Sequence, residues 1–280
     1  MNDLPPPVPK LDARRLVDEV NRSTGAGLEF VGAADGGEVG AAFVRWQDGR
    51  DGVLTRAAGG VEELRRTAAA LDAARGLGLP VPRYQLVTAG GVVQERLPGR
   101  APEKVDRALL EAMIALADRF AGIAPELPVP SMYLLESGPG FCLHESLERY
   151  DDRTRKLLGW IHEVGRSEPG GMTGNDLVHL DFHPGNVLVD DAGTITGIVD
   201  WDGIGRGDRR FGLVTLRFSA HVRLPGADLA WYDELLRAAL EPGVLRLYWA
   251  HMALRQVDWS IRHHTAADVT HWLEFAAPTP

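Results

Sequence analysis

The sequence predicts an α+β protein in two parts. A small lobe of five strands with one helix is followed by a short linker and a larger, mainly helical lobe. Three observations carry this. Short apolar runs separated by Gly and Asp-Gly pairs fill the N-terminal third. Apolar residues at spacings of three and four dominate from residue 103 onward. One non-helical island, 177–207, interrupts those helices. With 280 residues the chain suits one large domain or two lobes, at ~150 residues per domain.

The elements follow in order. After the proline cluster Pro5 to Pro9, residues 11–22 place Leu11, Leu16, Val17 and Val20 near helical spacing. Leu28 to Val31, Ala41 to Trp46 and Gly52 to Thr55 read as strands, separated by Gly36-Gly37 and Asp48-Gly49. In 61–75, Val61, Leu64, Ala68 and Leu71 form one apolar stripe, and Gly76, Gly78 and Pro80 supply the stop. Tyr84 to Val87 and Val92 to Gln94 read as two more strands around Gly90-Gly91. Helices are expected over 103–121, 143–166, 228–240 and 243–263. The lobes are expected at 1–94 and 100–280, with 95–99 between them. Inside the island, Val187 to Val189 and Ile195 to Val199 are short apolar runs.

Composition excludes several classes. Apolar residues at 45% and charged residues at 25% are ordinary for a globular protein. No apolar run reaches 18 residues, so no membrane span is expected. The start, MNDLPPPVPK, lacks the basic-then-apolar order of a signal peptide, so a cytoplasmic location is expected. Cys142 is the only cysteine, which leaves no intrachain disulfide and no multi-cysteine metal site. Thirty basic against 39 acidic residues give a net charge of −9. Such a surface repels phosphate backbones and disfavours nucleic acid, whereas a cationic small molecule suits it. No motif speaks to the oligomeric state.

The island carries the chemistry. It reads His179-x-Asp181 and, five residues further, Asn186, then Asp200-Trp201-Asp202. An acid and an amide on a Pro-Gly loop, then an acid after an apolar strand, suit Mg²⁺-nucleotide chemistry. Mg²⁺ takes a few oxygen ligands plus phosphate oxygens, and a separate carboxylate orients the attacking hydroxyl. Zinc on His179 and His183 is disfavoured, because Pro184-Gly185 breaks a helix there and no third ligand is evident.

This segment resembles the catalytic loop of the aminoglycoside phosphotransferase and choline kinase branch of the protein-kinase-like fold. His179, Asp181, His183, Pro184, Asn186 and Leu188 match its pattern, as do Asp200 and Asp202; Leu180 stands where glycine is usual. The resemblance implies a bilobal fold, ATP or GTP with Mg²⁺, Asp181 as catalytic base, and Asn186 and Asp200 as metal ligands. His179 then braces the loop. Gly36, Gly37 and Glu38 fall where a loop covering the phosphates is expected. The lysine of the third strand is missing, and Arg56 stands in its place. Its glutamate partner is expected at Thr67; Glu63, one helical turn earlier, is the candidate to pair with Arg56. The carbonyl of Glu95 and the N–H of Leu97 are expected to face the purine. Asp208 reads as structural, and Phe211 replaces the acid that usually follows.

Asp202 is the leading candidate to hold a cation, with Glu136, Glu145, Asp151, Asp152, Asp258 and Glu274 behind it. The first functional reading is an O-phosphotransferase acting on a cationic antibiotic, giving resistance or self-protection. The antibiotic is a tuberactinomycin-type cyclic peptide (viomycin or capreomycin) or an aminoglycoside; an arginine like Arg56 tilts towards the former. The alternatives are a kinase of a small metabolite, such as an amino alcohol or sugar, and a nucleotide-binding pseudokinase without turnover.

Overall fold

The structure, a computed structural model, describes residues 4–34, 39–57, 59–123, 126–168 and 171–276. Helix α1 (Ala13–Thr24) starts where the Asp12 carboxylate accepts from Arg15 N, and ends at Gly25, whose φ of 68° closes the last turn. Strands β1 (Glu29–Ala33), β2 (Ala42–Arg45) and β3 (Asp51–Arg56) precede helix α2 (Val61–Gly76). Strands β4 (Tyr84–Val87) and β5 (Gly91–Glu95) complete an antiparallel sheet in the order β1-β2-β3-β5-β4.

Alternation gives this sheet two faces. Leu16, Val17 and Val20 of α1 form one buried cluster with Ala42, Val44, Leu54 and Val93. Leu54 is fully buried there, and truncating it to Ala costs about 2–5 kcal/mol. Val53, Gln94 and Tyr84 pair in register and share the opposite face.

Helix α3 (Arg107–Asp118) follows the linker. In the island, β6 (Asp176–His179) pairs with β9 (Ile204–Gly207), and β7 (Val187–Val189) pairs with β8 (Ile195–Ile198). A single 3₁₀ turn, Pro184–Asn186, leads into β7. The short strands β6 and β9 were not expected; only the runs of β7 and β8 carry an apolar signal.

Among the described residues the remaining helices are α4 (His144–Tyr150), α5 (Asp152–Ser167), α6 (Phe211–Arg223), α7 (Ala230–Ala239), α8 (Pro242–His263) and α9 (Ala266–Ala276). The helix expected over 143–166 is two. Asp151 turns extended, and its side chain caps α5 by accepting from the N–H groups of Arg153 and Thr154. Helix α6 was missed because Phe211 to Phe218 are all buried, so no apolar stripe marks a face. Helix α9 was missed too.

The chain forms two compact units. One comprises Pro9–Pro128 and Asn175–Arg209, which joins the five-stranded sheet to the island; the other holds Met1–Val8, Val129–Gly174 and Arg210–Pro280. Backbone hydrogen bonds tie the island to the sheet's own unit. Arg100 and Val189 exchange two of them (3.0 and 2.8 Å), and Ile198 N donates to Pro80 O at 2.8 Å. Leu177 N donates to Phe120 O at 3.0 Å.

In the helical unit, Asp258 is fully buried, takes both arms of Arg262 and accepts from Ser146 Oγ at 2.6 Å. Cys142 is buried as well, which pushes its thiol up to about 12. No described helix is long and apolar enough to cross a membrane.

Candidate active site

His179 ends β6 and is buried. Its Nδ1 accepts from Asp181 N at 3.1 Å, so the proton sits on Nε2, which donates to Val199 O at 3.0 Å. The ring lies 4.6 Å from that of Trp201. One neutral imidazole thus ties the segment bearing Asp181 to the segment bearing Asp200, the bracing role expected of it.

The 3₁₀ turn places the next groups. His183 Nδ1 accepts from Gly185 N at 3.0 Å, and His183 Nε2 lies 3.4 Å from Asp181 Oδ2. Asn186 is buried, and its Nδ2 donates to Asp181 O at 2.9 Å. This commits the amide nitrogen and leaves Oδ1 as the end that can ligate a hard cation. Val199 N donates to Asn186 O at 2.9 Å and draws the end of β8 alongside.

Asp200 follows with φ of 64°, a left-handed conformation that Asp tolerates better than most side chains. The next residue, Trp201, is buried and donates from Nε1 to Ile198 O at 2.8 Å. Val199 and Trp201 therefore clamp Asp200 from both sides. Leu180, the departure from the motif, donates its N–H to Gly203 O at 2.8 Å. A Cβ on Gly203 would lie 3.4 Å from Leu180 Cβ, so the residues flanking β6 and β9 meet there at about van der Waals contact.

Asp202 is exposed, with protein atoms around its carboxyl. That desolvation, and then the charge of Asp200, push its carboxyl up to about 7. Tyr84 lies close enough to feel both acids, and burial together with Asp202 and Asp200 raises its phenol. Among the described residues no cluster of three or more His, Cys, Asp or Glu could hold a metal. Two oxygen donors, Asn186 Oδ1 and the Asp200 carboxylate, would suit Mg²⁺, which seldom takes an all-protein cage and completes its shell with phosphate oxygens and water.

The linker lies along the β7–β8 hairpin. Thr196 Oγ1 donates to Pro98 O at 2.7 Å, and a Cβ on Gly197 would meet Leu97 Cδ1 at 2.9 Å. Gly99 has φ of 102°, and a Cβ there would lie 2.8 Å from Val189 O, so only glycine fits. The Glu95 side chain accepts from Arg75 Nη1 at 2.7 Å, while its N–H donates to Arg83 O at 2.8 Å. That side chain is structural; only the backbone carbonyl of Glu95 and the N–H of Leu97 remain candidates for the purine.

Asp181, Asn186 and Asp200 are therefore brought together by named hydrogen bonds, with Asp202 beside them. Gly36, Gly37 and Glu38 lie outside the described residues. Arg56 requires a correction. It pairs in register with Gly91, where a Cβ would meet Leu54 and Val20 of α1. Strand alternation thus turns Arg56 to the α1 face, away from Val53, Gln94 and Tyr84. The pairing of Arg56 with Glu63 is also corrected. Glu63 is exposed and its carboxylate folds back over Gly59, where a Cβ would lie 2.6 Å from Oε2. Thr67 is buried in α2. Asp258 and Asp151 are committed to internal partners, Asp152 pairs with Arg155, and Glu145 accepts from Ser137 Oγ at 2.7 Å. Glu136 and Glu274 are exposed. Nothing in the sequence signals that Tyr84 lies close to Asp200 and Asp202; strand pairing is what places it and Gln94 on one face.

A small antiparallel sheet whose unit also holds a His-Asp-Asn loop and an Asp-Trp-Asp turn, with a helical unit beside them in sequence, defines a kinase-like phosphotransferase fold. The phosphotransferase enzyme family (APH) matches residues 32–253, and the chain belongs to it. Solved structures agree. An aminoglycoside phosphotransferase, APH(4)-Ia, in a ternary complex with ADP and hygromycin B is 18% identical over 94% of this chain and 99% of its own, with a TM-score of 0.63. An aminoglycoside-3'-phosphotransferase of type VIII is 23% identical over 86% of this chain and 99% of its own, at a TM-score of 0.58. APH(3'')-Id from Streptomyces rimosus, in complex with ADP and streptomycin, is 20% identical over 87% and 98%, at 0.55. No curated protein sequence matches this chain.

Proposed function

We propose that the protein transfers the γ-phosphoryl group of ATP or GTP to a hydroxyl of a cationic antibiotic. The observation that carries this is the joined set Asp181, Asn186 and Asp200, tied through His179 and Val199. Asp181 faces the acceptor hydroxyl and takes its proton as the oxygen attacks phosphorus. Its carboxylate is oriented for this by His183 and Asn186. Asn186 Oδ1 and the Asp200 carboxylate would hold Mg²⁺, which neutralises charge on the phosphates. His179 touches no reactant; it sets the spacing of the two acids.

The acceptor is proposed from charge and kinship. The chain carries a net charge of −9, and two similar structures are complexes with hygromycin B or streptomycin. An aminoglycoside-like polycation is the favoured class. The tuberactinomycin reading drew on Arg56, and the strand face removes that support. Resistance or self-protection, in the cytoplasm, is the biology this reading gives.

The experiment is direct. The protein is incubated with Mg-ATP or Mg-GTP and a panel of aminoglycosides, tuberactinomycins, amino alcohols and sugars, and each acceptor is weighed by mass spectrometry. One added phosphoryl group on an antibiotic supports the proposal. Addition only to an amino alcohol or sugar makes the protein a metabolite kinase. Nucleotide binding without transfer to any acceptor makes it a pseudokinase.

A further inference from the structure

Tyr84 opens β4 and pairs with Gln94, which turns its ring to the sheet face opposite α1. The chain entering this strand is tied to the island. Ile198 N donates to Pro80 O at 2.8 Å, and Ile198 O accepts from Trp201 Nε1 at 2.8 Å. Asp200 and Asp202 stand on either side of the buried Trp201, and both are exposed. The phenol of Tyr84 lies close enough to feel both charges. Burial, then Asp202, then Asp200 hold it above the ordinary tyrosine range, so it stays a neutral donor. Among the described residues its hydroxyl has no hydrogen-bond partner, and neither has the Asp202 carboxyl. A donor and an acceptor, each unfilled, thus stand in one neighbourhood.

The cation makes this consequential. On the metal reading above, on which this inference rests, Asn186 Oδ1 and the Asp200 carboxylate are the ligands. Asp202 is a second carboxylate beside them, able to compete for the same cation. Among the described residues the charge that acts on Asp202 is that of Asp200, and no basic side chain offsets it. We propose that Tyr84 is a positioning residue: its hydroxyl donates to the Asp202 carboxyl, turns it away from the cation and leaves Asp200 with Asn186 as the ligands. A change of rotamer, open to an exposed side chain, closes this bond. Tyr84 touches no reactant and acts through Asp202. Asp202, expected from the sequence to hold the cationic acceptor, is then engaged by the sheet instead.

A double-mutant cycle of Tyr84→Phe and Asp202→Ala tests this. Tyr84→Phe removes an unpartnered hydroxyl and keeps the ring, so its melting temperature should match wild type. Mn²⁺ affinity in the presence of AMP-PNP is read by electron paramagnetic resonance and needs no acceptor. Turnover and acceptor KM are measured with the acceptor that mass spectrometry identifies. In Tyr84→Phe the released Asp202 joins the cation. Mn²⁺ should then bind ~3–10-fold more tightly and turnover should fall by a similar factor, the range of one hydrogen bond. Acceptor KM should stay within about twofold of wild type. In the Asp202→Ala background the same substitution should change Mn²⁺ affinity and turnover by less than about twofold.

Three results would overturn the assignment while leaving the phosphotransferase reading intact. Tyr84→Phe could act equally in both backgrounds, which would make its role one of packing alone. It could leave Mn²⁺ affinity unchanged or weaken it. It could raise only the acceptor KM, as Asp202→Ala would too, which would set both groups against the acceptor. If wild type binds no Mn²⁺ with AMP-PNP, the metal reading itself fails, and this inference with it.

Discussion

The His179–Asp202 island and the β3–β5 strand pair place their polar residues by different rules. In the island the polar side chains are held by hydrogen bonds: His179 to Val199 O on a neighbouring segment, and Asn186 to Asp181 O and His183 to Gly185 N within the loop. The residue type fixes the role, because the loop is built around those hydrogen bonds. Among the described residues no side-chain hydrogen bond holds Arg56 or Gln94, and the face of the sheet decides what each can reach. Arg56 goes to the α1 face and Gln94 to the face of Tyr84. A motif is therefore a safe guide to a loop and a poor one to a strand, where one residue of register exchanges the two faces.

The largest expected effect breaks the island side of this comparison. Asp200→Ala removes a proposed metal ligand, and phosphoryl transfer should fall to background at any Mg²⁺ concentration. Full-rate transfer in excess chelator would remove the metal from the account.

Next comes a buried histidine outside the island. His251 is buried, and its Nδ1–H donates to Met132 O at 2.8 Å. Burial lowers its pKa from 6.5 to about 4. The unfolded chain therefore takes up a proton first. This contribution to stability is complete above pH ~6.5 and is lost as pH falls towards about 4. The full loss is about 3 kcal/mol. His251→Asn should flatten the acid limb of a denaturant-unfolding profile over that window; an unchanged limb would show that His251 does not titrate in it.

His179→Ala orphans Asp181 N and Val199 O and should cost about 2 kcal/mol or more in stability. His179→Asn should recover part of the turnover lost in the Ala variant. If His179 only fills space, the two variants will not differ in rate.

The smallest effect sharpens the strand side. Arg56→Ala should change nucleotide affinity by less than about twofold, the size of an ordinary surface substitution. A loss of one decade or more by calorimetry would return Arg56 to the phosphates and refute the face assignment.

Much of this was legible in the sequence. Leu16, Val17 and Val20 announced α1, Gly76 to Pro80 announced the end of α2, and the island's motif named Asp181, Asn186 and Asp200, which hydrogen bonds bring together. The splitting of 143–166 was also written there, in Asp151 followed by Thr154, but the helical stripe across it hid the cap. Helix α6 was hidden by burial on all sides. Tyr84 was hidden because a missing partner has no sequence signature; its place exists only once neighbouring strands are paired. Arg56 misled because its position along the chain fits the kinase pattern while its strand parity does not.

The central claim is that the island performs phosphoryl transfer with Asp181 as base, and Asp181→Asn tests it most directly. The substitution keeps the side chain's size and the backbone groups that His179 and Asn186 hold. Turnover with a confirmed acceptor and calorimetric affinity for Mg-ATP should be measured on the same preparation. The account predicts affinity close to wild type and turnover lower by ~10²–10⁴-fold. Turnover near that of wild type, with nucleotide binding intact, would contradict it.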